Sequence, residues 1–520
     1  MRQSASSEHE HEHARASRSR IGRSSVRWMF AVAWTFVSAG CISLAPQYTR
    51  PAMPVPASYP ADTVPSGPKA VDGADAAAAP TLPDWQDYFL DPRLRALIGE
   101  ALANNRDLRI ASARIDEAGA IVGLRRAAQF PAIDATATAA RFRLPAGLLS
   151  PRPVVGDLYD AGLLQSSWEI DLWGRVRNAK AAALESLYAA ESTRRAVTLS
   201  LIAHVADTYF GLCELDERLA FTRETIASRE RSRHIFARRY EVGATSKLDL
   251  EQSEILLEQA RTLEAQLAQA RAAQAHALDA LVGAPANVQT RDQPLDDAAV
   301  MSSLEAGLPS SLLEARPDIV AAEHRLRAAN ANIGAARAAF FPRIALTSSY
   351  GSSSGELGNL FSSSAGTWAF VPNLALPIFD AGRNRSNLAL AKAQREEATA
   401  QYEQAIQNAF RDVADALSAT DWLGTQVRTA RATLDAQTER ARLARLRYDD
   451  GVTPFLEVLD AQRDWLNAEQ QLVQTRRALL SSRVALYTAL GGATATADRA
   501  KDAGGVAAVP NTLTHHENHE

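Results

Sequence analysis

At 520 residues, with 22% charged side chains and a formal net charge of −4, the chain has length for two or three ordinary domains and no basic excess to suit a nucleic acid. A disulfide would need both of its cysteines, Cys41 and Cys213, as free thiols. From about residue 175 onward Ala, Leu, Arg, Glu and Gln dominate, the composition of long helices and coiled coils.

The chain opens as a targeting segment. Arg15, Arg18, Arg20, Arg23 and Arg27 make a basic region, and Trp28 to Val37 is an apolar run too short to span a bilayer. Ser38-Ala39-Gly40-Cys41 follows and resembles a bacterial lipobox, with Ser38 where that pattern usually has Leu or Val. The resemblance implies removal of residues 1–40 and a covalent lipid on Cys41; an ordinary secretory signal with an incidental cysteine is the other reading. No aspartate follows Cys41 to signal inner-membrane retention. Residues 41–80, with Pro46, Pro51, Pro54, Pro56 and Pro60, read as an extended tether.

Two similar halves follow. In residues 81–300, Trp85 to Phe89 opens the folded part and a helix is expected from Pro92 to Gln129. At Pro131 the periodicity changes from 3.6 to 2, predicting a β-hairpin over 131–171. A helical hairpin is expected over 175–283. Residues 301–492 repeat the plan, with a helix, a β-hairpin at 342–380 and a helical hairpin at 383–490. Arg175 to Glu241 and Arg383 to Asp449 each run without a proline, roughly 100 Å of helix at about 1.5 Å per residue. Gly243 and Gly451 suit left-handed residues after those helices. Ser246-Lys247-Leu248-Asp249 suits a capping box, and Thr453-Pro454 an N-cap followed by a first-turn proline. Residues 493–520 read as a disordered tail.

The duplication is plainest at the hairpin tips. Arg239-Tyr240-Glu241-Val242-Gly243-Ala244-Thr245 returns 208 positions later as Arg447-Tyr448-Asp449-Asp450-Gly451-Val452-Thr453. The fold class expected is mainly α with a small β part, built twice. No uninterrupted apolar run beyond the leader reaches about 18 residues, so a membrane span has to be a closed β-barrel. Four strands cannot close one, since single-chain barrels begin at about eight. Three chains would supply twelve, and the alanine-rich hairpins would stand side by side in a helical cylinder.

Several motifs carry a family resemblance over residues 41–492. They are Cys41-Ile42-Ser43-Leu44-Ala45-Pro46, Arg316-Pro317-Asp318-Ile319, Phe341-Pro342, Phe379-Asp380-Ala381-Gly382-Arg383 and Tyr448 to Gln462. In their order the chain resembles the TolC-like outer-membrane efflux proteins, in their lipoprotein branch. The resemblance implies a homotrimer with a shared 12-stranded outer-membrane β-barrel and a periplasmic α-barrel in a Gram-negative bacterium. It implies docking to a periplasmic adaptor protein and an RND-type inner-membrane pump. It also implies a gate at Arg447, Tyr448, Leu456, Asp460 and Arg463. Leu456 and Asp460, four apart, share a helix face, and three copies would form an apolar ring and an acidic ring, both known pore devices. Gly243, Thr245, Ser246, Leu248, Gly451, Val452 and Thr453 are candidate adaptor contacts; helix capping alone is their plainer reading.

Nothing in the sequence points to catalysis: there is no phosphate loop, nucleophile elbow or zinc motif. No cofactor is expected beyond the lipid on Cys41. His9 to His13 precedes the expected cleavage point, and His515, His516 and His519 lie in the tail. Cys213 is expected to be a buried thiol, and Trp168 and Trp173 are either a membrane girdle or packing at the sheet base. Three functional readings stand: an export duct of a tripartite efflux pump, the duct of a protein-secretion system, and a lipid-anchored periplasmic coiled-coil scaffold.

Overall fold

The computed structural model describes residues 43–56, 82–147, 151–286, 295, 297–301 and 315–493. Cys41, the leader, most of the tether and the His-bearing tail lie outside the described residues. The elements run α1 (Trp85–Tyr88), α2 (Pro92–Asn104), α3 (Arg106–Ala127), β1 (Ile133–Leu144), β2 (Val154–Ile170), α4 (Arg175–Glu241) and α5 (Lys247–Val282). The second half runs α6 (Pro317–Ala338), β3 (Arg343–Ser354), β4 (Gly366–Ala375), α7 (Arg383–Asp449) and α8 (Phe455–Ala489). The chain divides into two compact units that each draw on both halves.

The first unit comprises Ala120–Glu185, Arg327–Glu396 and the described part of Met1–Thr49. Its centre is a four-stranded antiparallel sheet in the order β1-β2-β3-β4. The two expected hairpins join through β2 and β3, where Gly162 faces Gly351. A Cβ on Gly162 would lie 2.6 Å from the Tyr350 carbonyl oxygen, and one on Gly351 would meet the Ala161 carbonyl. A bulge between Gln165 and Trp168 shifts the register near the helical end of β2. Among the described residues, the outer edges of β1 and β4 have no neighbouring strand.

Aspartates convert strand into helix in the same way in both halves. Asp171 accepts from the Arg177 amide at 2.8 Å, and Asp380 from the Gly382 and Asn384 amides at 3.0 and 2.9 Å. These carboxylates satisfy amides that open a helix, where negative charge is also favoured. Glu169 ties the sheet base together, binding Arg175 through both oxygens at 2.9 and 2.7 Å and Arg343 at 2.8 Å. Trp168 donates to the Gln129 carbonyl; Trp173 donates to the Pro342 carbonyl and stacks on Phe341 at 4.8 Å. Of the two readings of these tryptophans, packing at the sheet base is the one the contacts support.

Residues 43–49 are docked rather than free. The Ser43 hydroxyl donates to Asn178 at 3.0 Å, Arg337 donates to the Leu44 carbonyl at 3.1 Å, and Asn330 donates to the Pro46 carbonyl at 2.8 Å. Tyr48 lies under the Arg327 guanidinium. These residues form neither helix nor strand, and side chains of the folded unit hold them in place. A proline-rich run has no helix or sheet of its own to form, but its carbonyls remain good acceptors for side chains of α6.

The second unit comprises Ser186–Leu326 with the described parts of Arg50–Gly119 and Glu397–Glu520. Its main core gathers α1, α2, α4, α5 and α8, with Tyr88 stacked on Tyr487 at 4.2 Å. The expected single helix from Pro92 to Gln129 is two helices broken at Asn105. Its side-chain oxygen accepts from the Asp107 and Leu108 amides at 2.8 and 3.2 Å, and its amide donates to the Leu281 carbonyl at 2.8 Å. One buried asparagine thus starts α3 and satisfies a carbonyl at the end of α5, which explains a break that periodicity alone does not reveal. By length and composition α4 could cross a membrane, but 56% of its apolar window is buried. Leu201, Val205, Tyr209 and Phe210 of that helix belong to the core.

Gly162→Val should wedge β2 from β3, at the about 1–3 kcal/mol typical of overpacking. The expected outcome is a lower yield of heat-resistant assembly on unheated denaturing gels. Gly358→Ala, whose new Cβ would meet nothing within 4 Å, should leave the yield unchanged.

Candidate functional site

The two hairpin tips lie in the second unit and close by the same backbone device. Gly243 donates to the Tyr240 carbonyl at 3.0 Å and Ala244 to the Arg239 carbonyl at 2.7 Å. Gly451 donates to Tyr448 at 2.9 Å and Val452 to Arg447 at 2.8 Å. Both are Schellman closures, and both glycines are left-handed, with φ of 74° and 72°.

The return helices start differently. Ser246 caps α5 in a full capping box with Asp249. The Ser246 hydroxyl, helped by that of Thr245, holds the Asp249 carboxyl below its ordinary range. The second tip departs from the expected Thr453 cap. Pro454 takes the extended cap position with φ −68° and ψ 153°, no side chain caps α8, and the helix begins at Phe455. The Thr453 hydroxyl is buried without a hydrogen-bond partner among the described residues. The physical reason is the Phe455 ring, drawn into a small core with Phe236 at 4.1 Å and Tyr448 at 5.0 Å.

That core binds the two tips to each other. Arg239 donates to the Tyr448 hydroxyl and lies 5.9 Å over its ring, so the second half's tyrosine is held by the first half's arginine. Arg447 pairs with Glu457 at 3.2 Å, and Asp460 pairs with Arg463 at 3.2 Å. Arg463 also reaches Asp464, whose carboxyl is held low mainly by Arg440 at 2.7 Å. Leu456 is half exposed and, like Val242, Leu248 and Val452, has its apolar side chain in the open. The structure thus brings Tyr448 into the contact between tips, pairs Arg447 with Glu457 inside the second tip, leaves Leu456 outside the contact, and pairs Asp460 with Arg463.

Sequence reasoning missed Arg239, Phe236 and Glu457. Arg239 stands where Arg447 stands in the repeat, which is a signal, but its grip on Tyr448 depends on how the hairpins meet. Above the tips, α4 and α8 are joined by further polar contacts. Arg218 binds Gln470, whose amide also reaches Thr222 at 3.3 Å; Arg476 binds Glu217 at 3.1 Å; Arg477 binds Asp207 at 2.9 Å. Within this seam Glu469 is buried, one carboxyl oxygen lacks a partner, and Glu224 and Glu217 face it. Burial chiefly, with those like charges, pushes its pKa up to about 7.

Two further candidates lie among the described residues. Cys213 is buried and its thiol is pushed up to about 12 by burial, so it is inert. The His204 ring lies 3.4 Å from the Ser200 hydroxyl. Among the described residues no cluster of His, Cys, Asp and Glu is arranged to hold a metal.

A sheet with two open edges, carrying alternating apolar and polar faces and joined to paired helical hairpins, defines a channel protein that needs more than one chain to close. The chain belongs to the outer membrane efflux protein family, whose model matches residues 97–284 and 308–492. Outer membrane protein OprJ of Pseudomonas aeruginosa is 42% identical over 458 residues, covering 88% of this chain and 94% of that one. A probable efflux pump outer membrane protein of Pseudomonas putida, TtgC, is 41% identical over 463 residues, covering 88% and 93%. Among solved structures, a membrane protein from Pseudomonas aeruginosa superposes with a TM-score of 0.79 at 40% identity, covering 87% of this chain and 98% of that one. The open state of the Neisseria gonorrhoeae MtrE channel does so with 0.76 at 36%, covering 87% and 99%. The protein is an outer-membrane efflux channel subunit with helices extending into the periplasm.

The sign of a pH effect follows from Glu469. A carboxyl whose pKa rises from 4.5 to about 7 on folding favours the folded state most when protonated, and loses that contribution as pH climbs through both values. Glu469→Gln keeps the shape without the titration. Thermal unfolding of the purified assembly should fall less steeply for the variant between about pH 5 and pH 8. A profile parallel to that of the unaltered protein would acquit this carboxyl.

Proposed function

We propose that three copies form a passive duct that receives small toxic compounds from an inner-membrane pump and releases them outside the cell. The open edges of β1 and β4 carry this reading, because only further strands can satisfy them in lipid. The relatives' names support the substrate class: among them are an antibiotic, a solvent and a toluene efflux pump outer membrane protein from Pseudomonas putida. The duct performs no catalysis, needs no cofactor and draws its energy from the pump. A lipid on Cys41 anchors each copy.

The tips are the gate and the docking place. Three copies of Leu456 would make an apolar constriction and three of Asp460 an acidic ring. The grip of Arg239 on Tyr448 and the shared Phe236–Phe455 core hold the second hairpin against the first, which supports a closed resting state. An RND-type pump acts through a periplasmic adaptor protein, which meets Gly243, Thr245, Ser246, Leu248, Gly451, Val452 and Thr453. The exposure of Leu248 and Val452 favours such a contact, since a solvated apolar side chain gains by being covered.

Asp460→Ala removes the acidic ring and leaves Arg463 with Asp464 alone, so it should raise the resting conductance of the channel in planar bilayers. Unchanged conductance would remove Asp460 from the gate. For docking, a photo-reactive group belongs at Lys247, whose side chain is 71% exposed, and not at the buried Phe455. Irradiation in the native envelope should capture a periplasmic adaptor together with its pump. Capture of unrelated scaffold proteins alone would overturn the docking of an adaptor at the tips.

A further inference from the structure

The sheet has one face for lipid and one for water, and its register shows which residues share each. Ala135, Leu163, Tyr350 and Trp368 lie opposite one another across the four strands, and Ile133, Gln165, Ser348 and Phe370 form the next row toward the helices. Tyr350 and Trp368 are 74% and 77% exposed. That row belongs to the apolar face, and Tyr350 and Trp368 each lie seven residues from the helical end of their strands, toward the outer end. The reverse face carries Asp134, Thr136, Asp160, Ser349, Ser353 and Thr367 along with Phe142, Leu144, Leu158 and Leu164, and in this reading it lines the lumen.

Alternation along β1 puts Ala137, Ala139, Arg141 and Arg143 on the same face as Ile133 and Ala135. Arg141 is eight residues beyond Ile133 and Arg143 ten. With about 3.4 Å per residue and a tilt of about 40°, they stand about 21 and 26 Å above Ile133 along the membrane normal. The apolar band of such barrels is about 25 Å tall. Two guanidinium groups therefore meet the outer boundary of the bilayer on its lipid side, at the end of the sheet away from the helices.

Their neutralisation within the protein is incomplete. Asp157 lies 3.5 Å from Arg141, and the Arg141 side chain is still 76% exposed. Arg143 lies opposite Val155. The strand that would lie beside β1 in a closed barrel is β4 of another copy, and Gly366–Ala375 contains no charged residue. The turn before β4 carries one acid, Glu356, which is hydrogen-bonded to Asn359 at 2.8 Å. Pairing copies edge to edge thus leaves a positive excess at each outer rim.

We propose that Arg141 and Arg143 form a docking site for the phosphate groups of a phosphorylated glycolipid in the outer leaflet. Guanidinium forks match phosphate oxygens, and the apolar face below them accepts the acyl chains of the same molecule. The site rests on the membrane reading of the sheet and is independent of the gate, so its failure would leave export untouched.

The test uses the full-length assembly purified in detergent and native mass spectrometry. The probes are bisphosphorylated lipid A, its dephosphorylated form, and phosphatidylethanolamine. A basic residue near a charged lipid surface is worth about fivefold in affinity, so R141Q/R143Q should bind the phosphorylated lipid at least about tenfold less. R141K/R143K should retain most of the binding, and phosphatidylethanolamine should not distinguish the variants. Equal binding of phosphorylated lipid by R141Q/R143Q and the unaltered chain would overturn the proposal. Equal binding of the phosphorylated and dephosphorylated lipids by the unaltered chain would do so even if the glutamine pair failed to assemble.

Discussion

The backbone groups along the open edges of β1 and β4 set the terms for the rest of the chain. Lipid offers them no hydrogen bonds, and each group left unpaired there costs several kcal/mol. A single copy has no internal remedy, because the sheet is only four strands wide. Association is therefore a condition of being in the membrane at all. The aspartates at 171 and 380 then hand the geometry of that shared sheet to the long helices, through amides that would otherwise open α4 and α7 unsatisfied.

A second constraint operates at the tips. Apolar side chains are shared between the hairpins, since Phe455, the first residue of α8, packs on Phe236. The polar contacts are shared as well, with Arg239 on Tyr448 and Arg218 on Gln470. These contacts tie α4 to α7 through Tyr448 and to α8 through Phe455 and Gln470, so separating the hairpins disturbs apolar and polar contacts at once. Two discrete arrangements are easier to build from that seam than a graded one.

How much of this was readable from the residues depends on how local each feature is. Gly243, Gly451 and the Ser246–Asp249 box declare themselves, because a left-handed closure or a cap is written within five residues. The strand pairs are also local, since alternation and the turns between them sit side by side in sequence. Asn105 is different: its partners are two residues ahead and at Leu281, so only the second half of its role is invisible, yet that half makes it buried. The docking of residues 43–49 is not written in their sequence, because their acceptors are backbone carbonyls, which sequence does not distinguish, and their donors lie some 290 positions away. The candidate gate residues came from family likeness, and the repeat marks Arg239 as the counterpart of Arg447 without showing its grip on Tyr448. That grip required the meeting of two hairpins that no local signal describes.

The duplication has a consequence for symmetry. Three copies present six hairpin tips, and a perfect repeat would make them alike, as if the ring had six equivalent positions. The two halves break that equivalence at one place: α5 begins with a capping box, whereas α8 begins at a proline with no side-chain cap and a stranded Thr453 hydroxyl. The ring therefore alternates between fastened and unfastened tips. A partner that reads single tips would find three places of one kind and three of another, and six bound copies would fall into two affinity classes.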